Sequence, residues 1–486
     1  MRRTIPRIGI LLTILALILA ACGGTGGASQ APGESTAAAS DEPAASEGSG
    51  EVVEIRWFCC LGAGDDPAQV PTEEAIVAAF NESHDDIELV LEIVDYDIAF
   101  DTMSTQIAGD NAPDIVGPVG VSGAEAFHGE WLDLTDLIES TGYDTSQFTE
   151  GSVEFYNVGG EGQIGLPFAI YPSMLFYHRD MFDEADLEYP PHAYGDPYVL
   201  DGEEREWNFE TLRELALRLT VDENGNDATS PDFDPEAIVQ WGYEPQYQDL
   251  RAQGSYWGAG SLVGDDGTTA EIPPQWQDAW KWFYDGVWTD HFIMNEAQQQ
   301  DPTIGATGNP FQSGNVAMGL SHLWYTCCAS AQDEDGNFVD DPNWDIAAVP
   351  SNNGTVTSNF NADTFRILEA SDHPEEAFEF LTYLLGDASG ELLQLYGGLP
   401  GREEDQQAFF DGLDERWTQG VDWQVALDGI PFADNPSFEA WVPNYQEAFT
   451  AIQAKLTELR STPDLDMDAE IADFTEELQG IFDRAE

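Results

Sequence analysis

The sequence VVEIRWF (residues 52–58) begins a series of five segments that decides the fold. Its β-branched and aromatic residues predict a strand, and TEEAIVAAF (72–80) after it predicts a helix. IELVLEI (87–93) predicts a second strand, FDTMSTQIA (100–108) a second helix and DIV (114–116) a third, short strand. This alternation indicates a parallel sheet covered by helices, with ligands bound at the carboxyl ends of its strands.

The amino terminus has the layout of a cleaved export signal. Three arginines precede an apolar run that begins at Ile8, and small residues lead to Cys22. The run is shorter than the roughly 20 apolar residues that a membrane-spanning helix needs. Leu-Ala-Ala-Cys (19–22) also resembles the lipobox of bacterial lipoproteins, so we expect a signal peptide at 1–21 and a lipid on Cys22. An ordinary signal peptide, cut elsewhere, is the alternative.

Composition divides the rest of the chain into a tether and a body. Residues 22–50 contain almost no large apolar side chain, so they cannot bury enough surface to fold and are predicted to form a flexible tether. Residues 51–486 are long enough for two domains, and the chain is 42% hydrophobic, which is adequate for real cores.

The charge balance is strongly acidic. The chain has 16 Lys plus Arg against 92 Asp plus Glu, a formal net charge of -76. Such a field repels nucleic acid and anionic lipid surfaces, so we expect no nucleic-acid partner. Salt at about 1 M shortens the Debye length to about 3 Å and would relieve the self-repulsion, which makes a saline or acidic habitat a hypothesis.

Five blocks along the chain form an ordered set of motifs. They are AGDNAPDIV (108–116), WLDLT (131–135), GLP through LFYHRDMF (165–182), FQSGNVAM (311–318), and residues 371–385 followed by GGLP (397–400). In this order they resemble the blocks of the carbohydrate-type extracellular solute-binding proteins that feed bacterial ABC importers, a group that includes the maltodextrin-binding protein. The chain departs from the usual pattern at Glu130, where a glycine is common, and at His178 and Arg179, which replace Asn and Lys.

The resemblance implies an α/β, two-lobed periplasmic-binding-protein fold of type II. Each lobe would be a parallel-rich sheet flanked by helices, and hinge strands would join the lobes around a ligand cleft. The implied N-terminal lobe comprises residues 51–168 and 350–399, and the implied C-terminal lobe comprises residues 169–349 and 400–486.

The resemblance also implies the function, which is capture of a sugar or oligosaccharide outside the cell and delivery to the transmembrane subunits of an ABC permease. We expect a monomer that contacts the membrane only through its lipid anchor, on the extracellular or periplasmic side, and that uses no cofactor or metal. A secreted glycosidase is the alternative from another class, because paired carboxylates beside aromatic residues also suit sugar hydrolysis. A binding protein for a non-sugar solute such as a polyamine also stays open, given the acidic field.

Sugars present ring faces and rims of hydroxyls, so their sites combine aromatic platforms with short polar side chains. The chain has 14 Trp and 16 Tyr, although aromatic residues more often fill cores. Position at strand ends selects one predicted wall: Trp57 and Phe58 after the first strand, with Tyr96 and Asp97 in a turn after the second.

By resemblance, the opposite wall of the cleft comes from aromatic residues later in the chain. The predicted residues are Tyr171, Tyr247, Trp257, Trp324 and Tyr325, with Trp441 on a late helix as a further stacking surface. Asn361 and Asp363 occupy a loop in which the family usually has a glycine pair, and this chain lacks that pair.

Four cysteines remain beside Cys22, as two adjacent pairs, and four cysteines allow three connectivities. The family layout puts Cys59-Cys60 and Cys327-Cys328 on different lobes near the cleft, where a bridge between the pairs would oppose hinge opening. We therefore favour a disulfide within each pair, with the ligand resting against Cys59 and Cys60. A thiolate zinc site is the weaker alternative, because the C-x-x-C spacing is missing.

One acidic loop starts like a calcium-binding EF-hand. In Asp222-Glu223-Asn224-Gly225-Asn226-Asp227 the sixth position is Asp instead of Gly, and the twelfth, Phe233, is not Glu. A solvated turn is the default interpretation, with calcium as the alternative.

Overall fold

The computed structural model describes residues 52–485 apart from 63, 66–68, 150, 159, 306–308 and 331–341. The predicted signal peptide, tether and lipidated Cys22 lie outside the described residues, as do the side chains of Asp97 and Cys327. The chain divides into the units Met1–Gly50 and Glu51–Glu486, and every described element belongs to the second.

The strands, in chain order, are β1 (Val53–Cys59), β2 (Ile87–Ile93), β3 (Ile115–Val119), β4 (Asn157–Val158), β5 (Gly162–Gln163), β6 (Ala169–His178), β7 (Tyr198–Leu200), β8 (Glu203–Arg205), β9 (Val221–Asp222), β10 (Ile238–Gln240), β11 (Met318–His322), β12 (Trp344–Ala347), β13 (Phe360–Ile367) and β14 (Leu399–Pro400).

The α-helices are α1 (Val70–Ser83), α2 (Tyr96–Ala108), α3 (Val121–Ala126), α4 (Thr135–Thr141), α5 (Arg179–Glu184), α6 (Phe209–Leu219), α7 (Leu250–Ser255), α8 (Pro274–Trp288), α9 (Glu296–Gln299), α10 (Pro302–Gly305), α11 (Pro374–Leu385), α12 (Ser389–Tyr396), α13 (Glu403–Arg416), α14 (Gln424–Gly429), α15 (Tyr445–Ser461) and α16 (Met467–Phe482). Short 3₁₀ turns lie at Thr145–Gln147, Glu154–Tyr156, Phe311–Ser313, Leu323–Cys327 and Ile430–Phe432.

One large mixed sheet has the strand order β11-β6-β13-β3-β1-β2, and β12 and β14 also pair with β6. β1 is parallel to β2 and β3, with Val53 opposite Ile87 and Trp57 opposite Ile115. The opening strand–helix series therefore forms the predicted parallel sheet, and its carboxyl ends meet at one edge.

Around β6 the sheet is antiparallel and not parallel, because all four strands that pair with β6 run in the opposite direction. Residues 169–172 of β6 pair with β13 and β14, and residues 173–178 pair with β11 and β12. A parallel-rich sheet is therefore confined to the first part of the chain. Antiparallel pairing lets one long strand take partners from distant segments without a helical crossover for each.

Boundaries of the first five elements agree with the sequence predictions to within four residues. β2 has the predicted bounds, and β1 is shifted by one residue. α2 begins at Tyr96, four residues before the predicted start, so the predicted turn at Tyr96 and Asp97 is the first turn of this helix. Trp441 precedes α15, because that helix begins only at Tyr445.

Two large clusters of buried side chains support these elements. One lies around β1, α1 and α11, and the other lies around α6, α8 and α15. Representative members of the first are Ile55, Trp57, Phe80, Phe365 and Phe380, and of the second Leu212, Trp276, Trp280, Phe283 and Ile452. In the described part of the chain, no helix combines the length and apolar character needed to cross a bilayer.

Candidate functional site

A cavity of about 640 Å³ lies beside the carboxyl end of β11. Aromatic rings, amides and carboxyls line it together, and its volume is in the range of small-molecule sites. The lining residues used below are Tyr247, Gln248, Asp249, His322, Trp324, Asn361, Phe438 and Glu439.

The turn after β11 supplies the main aromatic wall. Trp324 lies in the 3₁₀ turn Leu323–Cys327, and its indole Nε1 donates to Asn361 Oδ1 on β13 at 3.0 Å. Tyr247 packs against Trp324 with ring centroids 5.7 Å apart, and 59% of Tyr247 is exposed. The hydrogen bond fixes the indole ring, and the exposed tyrosine offers a second ring to a ligand.

His322 ends β11 and is stacked between two cavity residues. Its ring centroid lies 5.7 Å from that of Trp324 and 5.9 Å from that of Phe438. Burial lowers the pKa of His322 to about 3, so the ring is neutral at neutral pH. The amide Nε2 of Gln248 lies 3.4 Å from Nδ1, which makes Nδ1 the acceptor and leaves the proton on Nε2. Among the described residues, His322 Nε2 has no hydrogen-bond partner.

Two carboxyl groups have raised pKa values: Glu439, which lines the cavity, and Asp363, which lies near Glu439. Asn361 Nδ2 donates to Glu439 Oε2 at 3.4 Å. Burial, with the carboxylates of Asp249 and Asp363, raises the pKa of Glu439 to about 7, although Arg251 opposes the shift. Burial raises the pKa of Asp363 to about 6. Each carboxyl accepts hydrogen bonds through its oxygens and, when protonated, also donates one. Both functions suit the recognition of hydroxyl groups, because a hydroxyl donates and accepts hydrogen bonds.

The loops after β1 and β3 approach Asp363 closely. A Cβ on Gly120 would lie 3.1 Å from Asp363 Oδ1, and a Cβ on Gly62 would lie 3.6 Å from Oδ2. The Tyr96 side chain is near the same acids, since Glu439 and Asp363 help to raise its pKa. The parallel part of the sheet therefore presents its carboxyl ends to the acids at the cavity.

The structure brings some predicted site residues together and separates others. Tyr247, Trp324 and Asn361 line the cavity, and Tyr96 and Asp363 lie near it. Asp97 follows Tyr96 in α2. The remaining predicted aromatic residues do not line the cavity; they are Trp57, Phe58, Tyr171, Trp257, Tyr325 and Trp441.

Trp57 is fully buried in the core. Its indole Nε1 donates to the carbonyl oxygen of Gly117 at 2.7 Å, and Phe365 and Phe380 contact its ring. Phe58 points to the other face of β1 and is also fully buried. Neither can form a cleft wall here, because β13 and α11 cover one face of the strand and α2 the other.

The other displaced aromatic residues have partners of their own. Tyr171 is buried in β6, and Tyr325 is buried with its hydroxyl hydrogen-bonded to Asn309. Trp257 stacks on Phe209 at 4.9 Å, and Trp441 stacks on His128 at 4.7 Å. These contacts explain why the rings are turned away from the cavity.

Cys59 and Cys60 form a disulfide with each other. Cys328 is also disulfide-bonded, and since Cys59 and Cys60 are bonded to each other, the structure contains no Cys59–Cys328 bridge. Cys59 and Cys60 are fully buried and do not line the cavity, so neither sulfur is placed to meet a ligand there.

A buried acid accompanies this disulfide. Glu73 Oε1 lies 3.7 Å from Cys59 Sγ and accepts a hydrogen bond of 2.5 Å from Tyr396. Burial raises the pKa of Glu73 to about 7. Cys59, Cys60 and Glu73 are the one group of three potential metal-ligating residues in the described chain whose ligand atoms all lie within 4.8 Å of one another. Because its two sulfurs are bonded together, neither is a thiolate ligand.

The acidic loop at Asp222 is a closed turn. The Asp222 carboxylate accepts hydrogen bonds from the backbone N–H groups of Asn224, Asn226 and Asp234, and these bonds with the Asn226 side chain lower its pKa. Both oxygens are therefore engaged within the loop, as in an Asx turn.

Sequence reasoning missed most of the cavity lining, including Gln248, Asp249, His322, Phe438 and Glu439. His322 and Gln248 each lie within two residues of a predicted aromatic residue, and Phe438-Glu439 lies just before Trp441. The motif Phe438-Glu-Ala-Trp441 could have pointed to this part of the cavity, because it places an acid beside aromatic residues. The packing of Trp441 on His128 explains why Glu439, and not Trp441, lines the cavity.

Comparison with known proteins agrees with this architecture. A family model for bacterial extracellular solute-binding proteins matches residues 75–419. The lactose-binding protein of Rhizobium radiobacter is 24% identical over 348 residues, which are 66% of this chain and 71% of that protein.

Solved structures show the same fold. UspC of M. tuberculosis is 20% identical, with a TM-score of 0.64, and the match covers 89% of this chain and 100% of that one. The sugar-binding protein MalE of Xanthomonas citri is 13% identical, also with a TM-score of 0.64, and the match covers 89% and 98%. These likenesses establish the periplasmic-binding-protein fold. With its family model matched over most of its length, the chain belongs to the bacterial extracellular solute-binding proteins.

Proposed function

We propose that this protein is the substrate-binding receptor of an ABC importer and captures a sugar or oligosaccharide. The observation that carries the proposal is the composition of the cavity. Trp324 and Tyr247 supply rings, Asn361 and Gln248 supply amides, and Glu439 supplies a carboxyl within about 640 Å³. Ring faces and hydroxyl rims of a sugar need this combination.

The neutral histidine supports an uncharged ligand. His322 lines the cavity with an uncharged imidazole, so this part of the wall carries no positive charge that would favour an anionic ligand. The names of the Rhizobium radiobacter lactose-binding protein and the Xanthomonas citri sugar-binding protein support the same ligand class.

The family is extracellular, so the receptor works outside the cytoplasm. We infer further that Cys22 is lipidated, that residues 22–50 tether a monomeric body to the membrane, and that two lobes meet at β6, β13 and β14. Closure of these lobes on the ligand would select the form that docks on the permease subunits.

Titration calorimetry tests the proposal with lactose, maltose, cellobiose and spermidine, beside a glycosidase assay on the same sugars. The expected result is saturable one-to-one binding of at least one sugar without turnover. Turnover without stable binding would favour the glycosidase. Binding of spermidine with no sugar bound would favour a receptor for polyamines.

A further inference from the structure

A contact between the first and last parts of the chain lies next to the cavity. We call it the α3 contact. It joins two groups of residues: Ser122, Glu125 and His128 in or just after α3, and Glu439, Trp441 and Tyr445 at and before the start of α15.

The α3 contact is built from specific interactions. The Ser122 hydroxyl is hydrogen-bonded to the Tyr445 hydroxyl, and Trp441 stacks on His128 with an interplanar angle of 20°. The backbone N–H of Trp441 interacts with the Glu125 carboxyl. Because these partners are more than 300 positions apart, their contact depends on how the two parts of the chain are arranged.

Glu439 belongs to both the cavity and the α3 contact. Its carboxyl lines the cavity and accepts a hydrogen bond from Asn361, and the backbone N–H of Ser122 interacts with the same carboxyl. One side chain thus touches β13, α3 and the ligand space. We propose that Glu439 is a positioning residue that joins the cavity wall to the α3 contact, and that the contact is tighter when its carboxyl carries a proton.

The charged groups around Glu439 explain why protonation of its carboxyl would tighten the α3 contact. The described titratable groups that face it come from α2, α7 with the residue before it, β13, the loop before α15 and α15 itself; they are Tyr96, Asp249, Arg251, Asp363, Asp434 and Tyr445. Three are carboxyls, and the guanidinium of Arg251 already binds Asp249 at 3.0 Å. Forming the contact removes water from Glu439, so its charged form is disfavoured.

The direction of the pH effect follows from linkage. In the formed contact, burial raises the pKa of Glu439 from 4.5 to about 7. If the open form has a pKa nearer 4.5, closing takes up a proton between these values. The contact is then most stable below about pH 4.5 to 5 and weakens as the pH rises through about 7. Between pH 5.5 and 8.5 the opening equilibrium should rise at least tenfold.

The inference rests on the proposed function, because it joins the α3 contact to the ligand cavity. Hydrogen–deuterium exchange of the ligand-free protein tests the role of Glu439 in the contact without a ligand. The peptide covering residues 121–128 is compared between wild type and Glu439→Gln at each pH, so intrinsic exchange cancels. We expect the ratio of wild-type to variant exchange rates to be at least tenfold larger at pH 8.5 than at pH 5.5. A wild-type to variant ratio that does not change with pH would overturn the inference.

Glu125→Gln is the matched control, because burial also raises the pKa of Glu125 to about 7 but this acid does not line the cavity. A wild-type pH response that disappears in Glu125→Gln and persists in Glu439→Gln would contradict the proposal. Tyr445→Phe, which removes the hydroxyl at Ser122, should speed exchange at every pH without changing the pH response. It serves as a second variant if Glu439→Gln fails to fold.

Calorimetry with lactose and maltose links the α3 contact to the cavity. A sugar that binds should do so more tightly at pH 5.5 than at pH 8.5 in the wild type and equally in Glu439→Gln. Equal affinity at both pH values in the wild type would overturn the link. If neither sugar binds, the sugar proposal fails while the exchange of the ligand-free protein still decides the role of Glu439.

Discussion

The carboxyl end of β1 and the turn after β11 are alike in sequence and opposite in environment. Each has two adjacent aromatic residues, Trp57-Phe58 and Trp324-Tyr325, followed within three residues by a cysteine pair. Trp57 and Phe58 are fully buried, whereas Trp324 is partly exposed and lines the cavity. Tyr325 is buried like the first pair, so the local sequence does not decide which aromatic residue borders the cavity.

The partners of the two indole N–H groups explain the difference. Trp57 donates to the backbone of Gly117 inside the sheet, under Phe365 and Phe380. Trp324 donates to the side chain of Asn361, and one side of its ring borders open space. What covers a strand end determines whether its aromatic residue stabilises the core or is available to a ligand.

The largest effect is expected from Trp57→Ala. Removing a fully buried indole leaves a cavity and an unpaired carbonyl at Gly117, so the free energy of unfolding should fall by about 3–5 kcal/mol. Urea denaturation followed by circular dichroism measures it. A loss below about 1 kcal/mol would mean that this end of β1 is not core and would break the comparison.

Glu73→Gln should change how stability depends on pH at the β1 end. Burial raises the pKa of Glu73 from 4.5 to about 7 in the folded state, so the folded state retains its proton where the unfolded state has lost it. Stability then falls as the pH rises from about 4.5 to about 7, by up to about 3 kcal/mol.

The amide cannot ionise, so Glu73→Gln should be more stable than wild type at pH 8 and similar at pH 4.5. Denaturation curves of both proteins across this range measure the difference. A constant difference between the two proteins at every pH would show that Glu73 ionises normally when folded.

Trp324→Ala makes the same change as Trp57→Ala, but at the partly exposed tryptophan that lines the cavity. We expect about 2 kcal/mol weaker binding of the sugar that the wild type binds, which is about 30-fold in affinity. The free energy of unfolding should change by about 1 kcal/mol or less. Calorimetry and denaturation are measured together, with Trp324→Phe as a control that keeps a ring. Unchanged affinity beside a large loss of stability would make Trp324 a core residue.

The smallest effect is expected from reducing the Cys59–Cys60 disulfide. A bridge between neighbours closes a minimal loop, so it restricts the unfolded chain little and should contribute about 1 kcal/mol. Denaturation of a Cys327→Ala, Cys328→Ala variant, with and without reductant, isolates this bridge. Non-reducing peptide mapping of the wild type should recover Cys59 linked to Cys60, and a Cys59–Cys328 peptide would contradict the structure.

The sequence predicted the scaffold better than the site. Strand β2 has its predicted bounds, because a run of β-branched and aliphatic residues ends where the polar turn begins. The start of α2 was placed four residues late, because Asp95-Tyr96-Asp97 has the composition of a turn, although Tyr96 begins the helix. The family blocks, which span both parts of the sheet, supplied the architecture that local patterns could not.

Of the predicted site residues, Tyr247, Trp324 and Asn361 line the cavity, whereas Trp57 and Phe58 are buried in the core. Strand-end position is the same for both groups, so it could not separate them. Glu439 was missed because one acid among 92 has no local mark of burial, and its neighbours Asn361 and Ser122 are distant in the chain.

By itself, the sequence determined the alternation of strands and helices, the acidic field and the family. These follow from side-chain periodicity, net charge and the order of motifs, which are properties of the chain read along its length. Only the tertiary structure decided which rings face the cavity, that His322 is neutral and that Glu439 and Glu73 hold their protons more tightly. Burial and hydrogen-bond partners set these properties, and both come from residues far apart in sequence.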